Sequence, residues 1–220
     1  LAESYVFGCP APFARALESN LTPAHLWERF ETLGLLASPV LPGFETGAGN
    51  PPALLHDETP AEELIAALTG QGDLTVTPLQ MLQVIAAIAN QGNAVPLHVA
   101  DAVRAPGASE WETLEVPGRR PALLRADVAS AVRLTMLQAA AQSPYVSQAR
   151  SGELVLYGHS ALAYGGPDAT PYVWFTGFVD VTESDQAEAI AIVVVVEAED
   201  DPAVAAQVAG AALAAAADSE

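Results

Sequence analysis

The run AIAIVVVVEA, residues 189–198, constrains the fold of this chain more than any other stretch. Ile190 to Val196 is apolar at odd and even positions alike, so as a strand it is apolar on both faces. Such a strand has to be sandwiched between two layers. It is of strand length and bounded by acids, and no run of 18 apolar residues exists anywhere to span a bilayer.

Two more β-rich runs precede it, at 153–163 and 172–181, with connections short enough for antiparallel neighbours. A helix of nearly pure alanine and valine closes the chain; apolar almost all round, it is expected to pack on that sheet. Upstream, helix starts are marked by a capping residue followed by proline: Thr22-Pro23, Thr59-Pro60, Thr77-Pro78, and later Asp201-Pro202. Thr59 with Glu62, and Thr77 with Gln80, complete capping boxes. The pattern predicts helices over 11–19, 23–33, 60–69, 78–90, 126–142 and 202–217, with Gly34, Gly70 and Gly92 where C-terminal glycines belong. Residues 37–58 form a long Pro/Gly-rich loop of the kind that covers or shapes a functional surface. A second irregular zone spans 104–121.

Charge narrows the partners. With 27 acids against 8 bases, a net charge of −19 repels phosphate backbones and anionic lipid, which excludes nucleic acid and direct membrane partners. All eight bases are arginine; the chain contains no lysine. Cys9 is the only cysteine, so no internal disulfide or four-cysteine zinc site can form, and Cys9 reads as a small hydrophobe packed near a helix start. No cofactor and no metal is expected. Without an initiator Met or signal peptide at Leu1, the chain reads as a processed or excised piece of something longer.

The stretch ELVLYGHSALAYGG, residues 153–166, suggests the nucleophile elbow of a serine hydrolase, with Ser160 after Gly158-His159. Three demands of that motif fail. Ala161 and Leu162 stand where glycine is needed, the chain runs on to the turn residues Gly165-Gly166-Pro167-Asp168, and no histidine follows Ser160. His159 cannot assist, because adjacent strand residues point to opposite faces.

The block GQGDLTVTPLQMLQVIAAIANQG, residues 70–92, closely resembles the G-Q-G…T-P-L-Q-M…I-A-N-x-G block of penicillin-binding protein transpeptidase domains, the D,D-transpeptidases of peptidoglycan synthesis. YVWFTGFVDV, then AIAIVVVVE, look like that family's W-F-x-G-F strand and the apolar strand after it. CPAPFARALESNLTPAHLWERFETLGL is similar to the segment that opens with S-x-N. The resemblance runs from about residue 5 to 217. By it, Ser160 matches the Thr/Ser of K-T/S-G-T, not the family's nucleophile.

The resemblance implies a mechanism that this chain's residues do not supply. The family activates a serine with the lysine of S-x-x-K, relays protons through S-x-N, and holds substrate carboxylate with the cationic K-T-G strand. A chain without lysine has neither S-x-x-K nor K-T-G, and it begins too late to include the nucleophile motif. Gly8-Cys9-Pro10 stands at S-x-N, with neither hydroxyl nor amide. At K-T-G-T stand His159, Ser160, Ala161 and Leu162: imidazole replaces ammonium, a methyl intrudes where glycine lets substrate approach, and a hydroxyl is lost. Catalytic residues are therefore expected to be none, with these as degenerate family positions.

His159 reads as a structural or solvent-facing strand residue, a weak anion contact and a catalytic role being the alternatives. Trp174 and Phe175 read as core packing. Glu197, Glu199, Asp200 and Asp201 read as solvating a strand end and favouring the closing helix, rather than as a calcium site; Asp57-Glu58 and Glu62-Glu63 read as first-turn acids.

The expected fold is mixed α/β (α+β), transpeptidase/β-lactamase-like: an antiparallel sheet flanked by helices, lacking the family's N-terminal strands. A single domain is expected over 1–220, helical to about 150, with sheet and closing helix after it. The absent strands leave the 189–198 edge open, to be covered by an upstream segment, a second chain or a displaced local element. The expected role is that of a non-catalytic pseudoenzyme, structural or interacting with cell-wall, division or elongation proteins. Its expected place is extracytoplasmic, in the bacterial envelope, tethered to the membrane through a segment outside this chain. The rivals are an active penicillin-binding transpeptidase whose Ser/Lys motif lies in a missing N-terminal segment, and a small-ligand module reusing the cleft.

Overall fold

Thr22, Thr77 and Asp201, each followed by proline, cap the starts of helices, their side-chain oxygens accepting from the N–H groups of His25, Gln80 and Ala203. The helices are α1 (Ala2–Val6), α2 (Ala11–Glu18), α3 (Pro23–Thr32), α4 (Ala61–Leu68), α5 (Pro78–Ala89), α6 (Ala126–Gln142) and α7 (Pro202–Ala217). The strands are β1 (Ala102–Val103), β2 (Glu112–Thr113), β3 (Val155–Gly165), β4 (Thr170–Val181) and β5 (Glu188–Glu197). This computed structural model describes residues 1–18, 22–50, 59–69, 74–100, 102–114, 121–165, 168–181 and 188–218. The expected C-terminal glycine at Gly70 and the acids Asp57-Glu58 lie outside the described residues.

The sheet is antiparallel, in the order β3-β4-β5. Its two faces are separate cores, as the doubly apolar β5 requires. On one face Val173, Phe175 and Val179 pack with Leu156 against Ala205, Ala206, Ala209 and Leu213 of α7. On the other, Phe178 packs against Ile85 and Ile88 of α5 and Met136 of α6. Among the described residues β5 pairs with β4 alone, so its outer edge is free.

Gly177 explains the glycine of the W-F-x-G-F strand. It pairs across the ladder with Gly158. A Cβ on Gly177 would lie 2.5 Å from the carbonyl oxygen of Tyr157 and 2.8 Å from the Phe175 ring. The ring of Phe175 lies over both glycines, and any side chain there displaces it.

Arg133 of α6 ties the helical layer to the sheet. Its guanidinium donates to the carbonyl of Ala89 at 2.7 Å and to both carboxylate oxygens of Asp180 on β4, and it stacks over the rings of Tyr157 and Phe178.

Gln80 does more than close a capping box. Its Oε1 accepts from the backbone N–H groups of Thr77 and Gly49, and its Nε2 donates to the carbonyls of Leu35 and Ala37. A buried amide thus spends both its ends on the Pro/Gly-rich loop, the described part of which is pinned to the start of α5. Gly49 is required there, since a Cβ would lie 1.8 Å from the carbonyl oxygen of Thr75.

Three readings of the sequence need correction. Residues 2–6 form a helix that it does not announce. The zone 104–121, expected to be irregular, contains β2, which pairs with β1. Cys9 is exposed, not packed: it sits in the turn after α1, its N–H donating to the carbonyl of Ser4, beside Gly8 at φ +65°. Of the acids in the 197–201 run, Asp201 caps the closing helix by accepting from the Ala203 N–H, Glu199 accepts from the N–H groups of Asp200 and Asp201, and Glu197 accepts from the Tyr172 hydroxyl. No helix among the described residues is long and apolar enough to cross a membrane.

Candidate active site

Strand alternation assigns the residues of β3 to opposite faces. His159 and Ala161 face the α5/α6 layer, across from Thr176 and Trp174 of β4. Ser160 and Leu162 face α7, across from Phe175 and Val173. Phe175 is fully buried and Trp174 is partly buried opposite Ala161, so both pack in or on the sheet.

Ser160 is buried, and its Oγ finds no hydrogen-bond partner among the described residues. No helix follows it; β3 continues to Gly165. Among the described residues no base lies within hydrogen-bond reach of that hydroxyl.

His159 has a different neighbour. The ring of Tyr5, from α1, stacks on its imidazole with centroids 4.1 Å apart and planes at 29°. Burial pushes the imidazole pKa down from 6.5 to about 4, and the same cause raises the Tyr5 phenol. Near neutral pH both rings are therefore uncharged. One face of the imidazole is covered by an aromatic ring.

The helix that carries Tyr5 leads directly into Gly8-Cys9-Pro10, so the stack joins the segments resembling S-x-N and K-T-G-T. Val6, the next residue, is buried in the core and anchors α1. Tyr5 also walls a mainly apolar groove of about 500 Å³ whose other sides include Phe13, Val128, Val132 and Thr135. Sequence reasoning missed Tyr5; the only signal was an aromatic three residues before Gly8.

Residues 41–215 match the family model of the penicillin binding protein transpeptidase domain. The chain belongs to that family. Solved transpeptidases share its fold at low identity. Penicillin-binding protein A of Mycobacterium tuberculosis matches with a TM-score of 0.80 at 20% identity, covering 98% of this chain and 48% of that one. The D,D-transpeptidase domain of a peptidoglycan glycosyltransferase from Eggerthella lenta matches with a TM-score of 0.81 at 18% identity, over 98% and 52%. A peptidoglycan synthase complex matches with a TM-score of 0.71 at 19% identity, over 98% and 37%. The chain therefore spans about half the length, or less, of these structures. A comparison with curated proteins finds no match.

Within the penicillin-binding protein family, the fold accounts for the T-P-L-Q-M and W-F-T-G-F blocks through Gln80 and Gly177, both structural. Along β3, His159 is a stacked imidazole, Ser160 a buried hydroxyl, and Ala161 and Leu162 are apolar.

Proposed function

We propose that this chain is a penicillin-binding-protein-type transpeptidase domain that does not itself carry out acyl transfer, and that it serves a structural or interaction role in a peptidoglycan setting. The Tyr5–His159 stack carries this reading. It sets a neutral ring pair where the family places a cation, and it leaves no charged donor on β3 for an anionic substrate. The free edge of β5 supports the interaction half: it presents unpaired backbone groups along an apolar strand, which a strand from an upstream segment or another chain satisfies. Cell-wall synthesis proteins are the partners that fit this family, and the bacterial envelope, outside the cytoplasm, is the fitting place.

A second reading draws on the length of the matched structures. Since the chain covers 48% of one and 52% of another, a segment beyond these residues can supply the Ser/Lys pair of an active D,D-transpeptidase. Labelling the full-length gene product with a fluorescent penicillin separates the two. Absence of covalent label is the result expected here; label that prior treatment with excess unlabelled penicillin prevents supports the second reading and overturns the first.

A further inference from the structure

The hairpin formed by β1 and β2 stands apart from the rest of the fold. The two strands pack chiefly on each other, and every residue from 103 to 114 is exposed. A two-stranded hairpin on its own is marginally stable in water. This one nevertheless carries large apolar side chains in the open: Val103 is 43% exposed, Trp111 64% and Leu114 37%. The register pairs Val103 with Glu112 and Ala102 with Thr113. By alternation Val103, Glu112 and Leu114 share one face, and Ala102, Trp111 and Thr113 the other. Apolar groups thus project from both sides, which no packing against the body of the domain explains.

The charges beside these groups are one arginine and two glutamates, and the arginine is taken up by the tryptophan. The guanidinium of Arg104 lies 4.9 Å from the centre of the Trp111 ring and is engaged there. Glu110 and Glu112 flank Trp111, exposed and acidic, on a chain whose net charge is −19. That charge opposes the docking of a second copy, and it favours a partner of opposite sign.

The geometry points to the β1–β2 hairpin as a docking finger for a protein surface that combines an apolar cleft with a lysine- or arginine-rich rim. Trp111 and Leu114 enter the cleft from the finger's two faces, while Glu110 and Glu112 meet the basic rim. Tryptophan is among the residues most enriched in interface hot spots, where surrounding contacts exclude water. The inference is independent of whether the cleft at His159 is catalytic.

The test uses the whole chain and a fluorescein-labelled synthetic peptide of alternating leucine and lysine, followed by anisotropy. The peptide is expected to bind, and Trp111→Ala with Leu114→Ser to weaken it by about tenfold or more. Glu110→Gln with Glu112→Gln is expected to weaken it about fivefold and to flatten its salt dependence. Leu134→Ser, at a leucine on α6 as exposed as Trp111, should leave binding unchanged. Equal binding by all variants would show diffuse attraction to an acidic surface and overturn the proposal, as would no binding at all. Hairpin-dependent self-association in sedimentation, or hairpin-dependent retention on purified peptidoglycan, would overturn it by naming a different occupant.

Discussion

The ring of Tyr5 stacks on the imidazole of His159 at 4.1 Å, joining the first helix of the chain to its first long strand. Both rings are partly buried, and the desolvation favours the uncharged imidazole. The contact ties the N-terminal helix to the sheet.

That stack makes stability depend on pH in a defined window. With a folded pKa of about 4 against 6.5 unfolded, the unfolded chain takes up the proton first as pH falls. The contribution of His159 is complete above pH 6.5, is lost between 6.5 and 4, and changes no further below that. Its size is at most about 3 kcal/mol, less the share screened by residual solvent contact. Urea unfolding of wild type and His159→Phe should diverge across that window and run parallel above it. Parallel curves throughout would mean that the imidazole titrates alike in both states.

Gln80→Ala should be among the most damaging single changes in the helical half. It strips partners from the N–H of Gly49 and the carbonyls of Leu35 and Ala37, costing about 3 kcal/mol. Gln80→Glu should not rescue it, because a carboxylate cannot donate to two carbonyls. Thermal unfolding checks both, and near-normal stability of either variant would sink the keystone role.

Gly177→Ala tests the sheet core. The added methyl meets backbone oxygen at 2.5 Å, and backbone cannot swing aside as a flexible side chain can. A loss of about 2 kcal/mol or more is expected, read as a lower midpoint in denaturant. A variant within experimental error of wild type would show that the Phe175 ring has room to move.

How much of this was legible in the sequence depended on the length over which each signal acts. Thr77-Pro78 and Gln80 announced a helix start because capping is local, and the doubly apolar 189–196 run announced a sandwiched strand. The pinning of the 37–50 loop by Gln80 was not legible, since the amide's other partners come from distant chain. Strand alternation already separated His159 from Ser160, but nothing local pairs His159 with Tyr5. A five-residue helix carries too little periodicity to be seen, and the two-residue strands β1 and β2 carry less. Cys9 was misjudged because its residue type suggested burial, whereas the Gly8 turn turns it outward.

The free edge of β5 makes a further prediction for the full-length gene product. Amides of residues 190–196 that point away from β4 should exchange slowly with deuterium there, as the paired ones do. Rapid exchange of every second amide would mean that nothing pairs with this edge.

The most direct test is the imidazole itself. A titration of His159 followed by its ring NMR shifts should place the pKa near 4 in the wild-type chain, and closer to 6.5 in Tyr5→Ala, where water reaches the ring. A wild-type value at or above 6.5 would show a solvated, chargeable imidazole on β3, and would contradict the account of a neutral ring pair there.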